Sequence, residues 1–159
     1  MSEKSGAAYL AWCRFRLMNH YWPRVQRCLV ELSDEQIWWR EHESNNSAGN
    51  LVLHLVGNLN QFVLTAFGGA PDTRDKEKEF SGRDSVPKEE LLHRLESALR
   101  ESDAILSQFN PERFQETTIL QGRERTYLEI LSIVLEHFAL HTGQIIFIAK
   151  LKTGKDLTF

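Results

Sequence analysis

Apolar residues recur along most of this chain at helical spacing, and the pattern divides it into four long segments. In the last, from Thr126 to Thr153, Ile130, Val134, His137, His141, Ile145 and Ile148 step by three or four residues. That period predicts one helix whose stripe faces the core. Thr126 and Glu129 make a capping box at its start, and Gly154 ends it. The first segment runs from about Ala7 to Leu32, with Leu10, Phe15, Leu17, Tyr21, Val25, Cys28, Leu29 and Leu32 inward. Pro23 interrupts it and predicts a kink or split near Tyr21–Trp22, because proline has no N–H and crowds the preceding turn. Ser33 and Gln36 predict a capped turn carrying Ile37, Trp38 and Trp39, whose tryptophans plug one end of the domain.

The second long helix begins near Asn46 or Ser47 and stops at Gly68-Gly69, before Pro71. No Asp, Glu, Lys or Arg occurs between Glu43 and Asp72. Asn50, His54, Asn58, Asn60 and Gln61 make it too polar to span a membrane, so it reads as a helix buried on most sides, in a bundle or against a second subunit. Ser47, Asn50, His54, Asn58 and Gln61 form one uncharged polar stripe with His54 at its centre. The charged stretch from Ala70 to Val86 reads as a solvated loop, with a role at a pocket mouth as the alternative. Ser85 and Pro87 open a third helix that runs to about Phe109, striped with Leu91, Leu92, Leu95, Leu99, Ile105 and Leu106, with His93 exposed. Residues 113–125 suggest a short hairpin around Gln121-Gly122. Four helices of this length imply an all-α bundle.

Composition narrows the function. At 159 residues the chain fits a single domain over 1–159, and 42% hydrophobic with 26% charged residues is ordinary for a globular protein. A net charge of −3 with scattered Lys and Arg argues against nucleic-acid binding. The N-terminus lacks the basic and apolar regions of a signal peptide, which predicts a cytoplasmic location. Cys13 and Cys28 lie about 22 Å apart on one helix at ~1.5 Å per residue, too far for a disulfide, and read as reduced structural thiols.

Three of six histidines, His54, His137 and His141, fall on inward faces of two helices. His137 and His141 are four residues apart and so share a face. The run H-F-A-L-H lacks the glutamate of H-E-x-x-H, so a zinc-peptidase reading fails. Three imidazoles would leave positions on an ion open for water or substrate, the arrangement of a catalytic site. Asn58 and Gln144 could hold ring N–H groups or a bound water, or simply pack.

With these residues in place the chain resembles the DinB/YfiT-like superfamily of metal-dependent proteins. The resemblance rests on NSAGNLVLHLVGNLNQFV around His54, on GGAPDTRDKEKEF from Gly68 to Phe80, and on EHFALHTGQIIFIAKLKTGKDL around His137 and His141. It implies an up-down-up-down four-helix bundle, a homodimer, and a divalent ion, zinc or nickel, held by His54, His137 and His141. It also implies a small-molecule substrate handled by thiol-dependent S-transfer or hydrolysis, with a low-molecular-weight thiol as the partner molecule and neither nucleic acid nor membrane involved. The competing expectations are a dimeric binding or stress-response module whose metal is structural or vestigial, and three hydrogen-bonded core histidines without metal. No residue names a catalytic group.

Overall fold

A computed structural model describes residues 3–82 and 86–158. Helix α1 (Glu3–Phe15), a π-helical segment (Arg16–Tyr21) and α2 (Trp22–Glu31) run on without a break. Trp22 N–H bonds the Leu17 carbonyl, five residues back. Pro23 follows as the second residue of α2, directly after the widened turn. The split expected near Tyr21–Trp22 thus takes the form of a widened turn. The rotation places Cys13, Leu17, Tyr21 and Val25 in the core and leaves Phe15, expected inside, 57% exposed.

The short helix α3 (Asp34–Trp38) starts from the expected Ser33–Gln36 capping box. Trp38 is buried, as expected of a plug, and donates Nε1–H to the Val86 carbonyl. Trp39 is half-buried, with the Lys152 ammonium 4.1 Å from its ring centre. Helix α4 (Ala48–Leu59) continues into a second π-helical segment (Asn60–Thr65), and Gly69 carries the left-handed turn that ends it. Helix α5 (Lys76–Ser81) follows.

The expected Ser85 cap lies outside the described residues. Helix α6 (Lys88–Gln108) starts after Pro87, with Lys88 N–H bonded to Asp34 Oδ1. A 3-10 turn (Pro111–Gln115) leads to the antiparallel pair β1 (Thr117–Leu120) and β2 (Arg123–Thr126). Gln121 and Gly122 both take positive φ, 54° and 71°, as a two-residue hairpin turn of this hand requires. Thr126 caps helix α7 (Tyr127–Thr153) with the expected Glu129 partner.

The molecule is therefore mostly helical, with one small hairpin. Helix α4 packs on α5, α6 and α7, and α7 also packs on α2. Leu29, Leu55, Leu59, Leu95, Leu99, Ile130, Val134 and Phe138 fill the space between them. By length and a mean hydropathy of 1.4, α7 would pass for a membrane span, and 39% of that window is buried inside the molecule.

The charged stretch is exposed to solvent at residues 71–73 and 75–78, as expected, but part of it is helix α5 and two of its residues turn inward. It folds back onto α4, and the side chains of Arg74 and Glu79 are only 5% and 8% exposed as a mutual ion pair. The reason is the polar stripe of α4. Buried amides and an imidazole need partners, and a strand of apolar core could not supply them.

Candidate metal centre

Ser47 starts α4 with a reciprocal cap to Asn50, which fixes the register of everything after it. Ser47, Asn50, His54, Asn58 and Gln61 are all buried. The uncharged helix is thus hidden within its own chain, and the 72–82 segment covers much of its polar stripe. Asn50 Nδ2 donates to the Glu79 carbonyl, and Arg40 reaches both Asn50 Oδ1 and the Gly82 carbonyl. Gln61 donates to Asp72 and accepts from Arg74 and from Gln121 of the hairpin turn.

His54, His137 and His141 come together at the meeting of α4 and α7. Their ring centres are 4.9–5.4 Å apart, and one ligand nitrogen from each lies within 4.8 Å of the others. The pair on α7 sits at the edge of the buried arc rather than along its centre. Val134, Phe138, Thr142 and Ile145 hold the deepest line, while His137 and His141 are half-buried. This differs from the expected stripe because α7 packs on α2 as well as α4, which turns its deepest line toward the space between them. The site is consequently open on one side.

His54 and His141 each have one nitrogen committed to a side-chain partner. His54 Nδ1 lies 2.8 Å from Glu79 Oε2, with the Phe80 ring 4.8 Å from its own. Arg74 grips the same carboxylate through Nε and Nη2, at 2.7 and 3.0 Å, and stands 3.1 Å from Nδ1. The nearer, carboxylate contact assigns the proton to Nδ1, and Arg74 Nη2 then donates to Glu79 Oε2 rather than to the ring. His141 Nδ1 pairs with Gln144 Oε1 at 2.7 Å, the partner expected from the sequence. The Ile133 backbone, one turn back, favours a ring N–H on His137. Among the described residues the second nitrogen of each ring has no hydrogen-bond partner, so three lone pairs are left in one place.

The electrostatics keep the two imidazoles of α7 neutral. Burial, reinforced by His54, His141 and Arg74, pushes the His137 imidazole down to about 4. Burial likewise lowers His141, against the opposing pull of Gln144. Burial would raise Glu79, but its hydrogen bonds from His54 and Arg74 and the charge of Arg74 outweigh that and hold it below the usual carboxylate range. Neutral imidazoles oriented by oxygen acceptors are what a divalent ion binds. Ligands of one ion at ~2.1 Å stand at most ~4.2 Å apart, a little closer than the spacing of up to 4.8 Å seen here. The three histidines could therefore hold a metal ion.

Asn58, one turn beyond His54, is fully buried, and neither its Nδ2 nor its Oδ1 has a partner among the described residues. Such an amide costs about 1–3 kcal/mol, a burden that a ligand would relieve. Gln144 also lines an open groove of about 950 Å³ that runs along Trp39, Leu51, Phe147 and Ile148. The groove begins one turn from His54 on α4 and one turn from His141 on α7. Glu79 and Arg74 were not among the sequence candidates. Their one trace there is Gly57, a glycine inside a helix, which calls for a close neighbour.

No curated protein matches the chain. Residues 4–159 match the profile of a family described as protein of unknown function, DUF1572. With nearly its whole length matched, the chain belongs to the DUF1572 family.

Proposed function

We propose that this chain is a divalent-metal enzyme of the DinB/YfiT-like kind, holding zinc or nickel through His54, His137 and His141. In this reading the four long helices form an up-down bundle, a single domain, that works as a cytoplasmic homodimer. The observation that carries the reading is the set of three unpartnered imidazole nitrogens. When bound, a divalent ion supplies Lewis acidity and lowers the pKa of a thiol or water. Thiol-dependent S-transfer is the reaction we favour over hydrolysis. Both oxygens of Glu79 are engaged, by Arg74 and by His54, which suits orienting a ring better than moving a proton. A thiol ionises near neutrality with less help than water does. The groove beside Gln144, apolar along Trp39, Leu51, Phe147 and Ile148 and polar along Arg40, Glu41 and Asn45, would take the body of the electrophile.

The test is elemental analysis followed by turnover. The purified protein is expected to carry about one zinc or nickel per chain and the His137→Ala/His141→Ala variant none. The metal-loaded protein should consume a small thiol with a generic electrophile such as 1-chloro-2,4-dinitrobenzene. Equal metal in both proteins would defeat the reading. A second reading, a dimeric module with a structural metal, draws on the exposed Leu140, Phe147 and Leu151 of α7. It predicts that chelation lowers the melting temperature and leaves ligand binding intact.

A further inference from the structure

Helix α4 has a notch. A Cβ built at Gly57 would stand 1.9 Å from Glu79 Oε1, 2.7 Å from Glu79 Cδ and 3.1 Å from Arg74 Nε. The two distances to Glu79 are ones that real Cβ atoms essentially never show, so glycine at this position is what admits the carboxylate where it stands. Gly57 lies three residues after His54, on the neighbouring turn. The carboxylate fills the notch, Arg74 holds it from beside the notch, and its Oε2 accepts a hydrogen bond from His54 Nδ1–H. The Asn50 amide anchors the Glu79 carbonyl as well, so both ends of the residue are fixed.

We infer that Glu79, seated at Gly57 and clamped by Arg74, is the positioning residue that selects the Nδ1–H tautomer of His54 and aims its Nε2 at His137 and His141. The inference rests on the metal reading above but concerns a different link in it. His137 and His141 are carried by one rigid helix and keep their spacing without help. His54 comes from another element, and its ring has no such constraint. A carboxylate acceptor on the non-ligating nitrogen fixes both the proton and the ring plane, and raises the donor strength of the other nitrogen. The 72–82 segment is thereby a working part of the site.

Two substitutions separate this role from general support. Glu79→Gln keeps the shape and removes the charge. Gly57→Ala changes no charge and pushes the carboxylate out of its notch. Long-range 15N NMR of the imidazoles in the metal-free protein reads the tautomer directly. His54 is expected as Nδ1–H in the native protein and as a tautomer mixture in Gly57→Ala. Titration with Ni2+ or Zn2+ against a chromophoric chelator should show affinity about 10–100-fold weaker in both variants. The Co2+ visible spectrum should shift in both, a signature that a loss of stability alone does not produce. Native affinity and an unchanged His54 tautomer in both variants would overturn the inference while leaving the metal reading standing. Should His54→Ala bind metal as tightly as the native chain, the three-histidine reading and this inference would fall together. If either variant melts too early to titrate, the other, together with the tautomer in the native protein, decides the matter.

Discussion

Gln144 and His141 meet one turn apart on α7, with Oε1 2.7 Å from Nδ1. The contact holds His141 as His54 is held by Glu79, but with a neutral acceptor at an exposed position. Water can stand in for an exposed amide, so Gln144→Ala should weaken Ni2+ or Zn2+ binding only several-fold. His141→Ala should weaken it far more. Chelator competition on the two variants measures the gap, and equal losses would assign Gln144 a larger role than its exposure allows.

Acid should destabilise the metal-free protein before its carboxylates titrate. His137 takes a proton at about 4 when folded and near 6.5 when unfolded. Between those values the unfolded chain binds more protons, so stability falls as pH drops. The contribution is complete above about pH 6.5 and lost by about pH 4, with a size of roughly 2 kcal/mol after allowance for partial exposure. His141, lowered in the same direction, adds to it. Urea denaturation of the chelator-treated protein at intervals from pH 7.5 to 4 measures the slope. A flat profile above pH 5 would contradict the neutral-imidazole picture.

Asn58 should prove a liability to the metal-free fold. Its amide is buried with both polar atoms unpartnered among the described residues. Asn58→Leu, similar in size and apolar, is expected to raise stability by about 1 kcal/mol, because no hydrogen bond is lost and a desolvation penalty is removed. Thermal melts of the metal-free variant check the sign. A lowered melting temperature would mean that the amide has a partner in solution.

The two thiols should be inert. Burial pushes Cys13 up to about 12 and Cys28 up to about 11. Neither side chain is exposed, and both are free. Thiolate is the reactive form, so the native protein at pH 8 should label with DTNB only at its rate of opening, and with both equivalents at once in denaturant. Fast labelling of either cysteine in the native state would contradict the burial.

Much of the scaffold was legible in the sequence because its signals are local. Helical periods, the Ser33 and Thr126 caps, the Gln121-Gly122 turn and Gly154 each act within a few residues, and each is present where the pattern placed it. The three histidines were legible for the same reason, since spacing alone assigned them to helix faces. The covering segment was not. KEKEF reads as solvated charge because nothing nearby in sequence reveals that Glu79 meets His54 across 25 residues. A mid-helix glycine costs ~1 kcal/mol relative to alanine, so Gly57 hinted at a close contact without naming the visitor. The second π-helical segment, Asn60–Thr65, has no proline to announce it, and we find no local sequence cause for it.

The division of the site between two helices has a mechanical consequence. His54 and His137 are 83 residues apart along the chain. An ion gripping all three rings would staple α4 to α7 across more than half the length of the chain and, bound only where the fold brings the rings together, would stabilise the folded state by mass action. Loading the centre should then slow the opening of amides far from it, along the α2–α7 and α4–α6 seams, and hydrogen exchange would register the metal as a property of the whole fold.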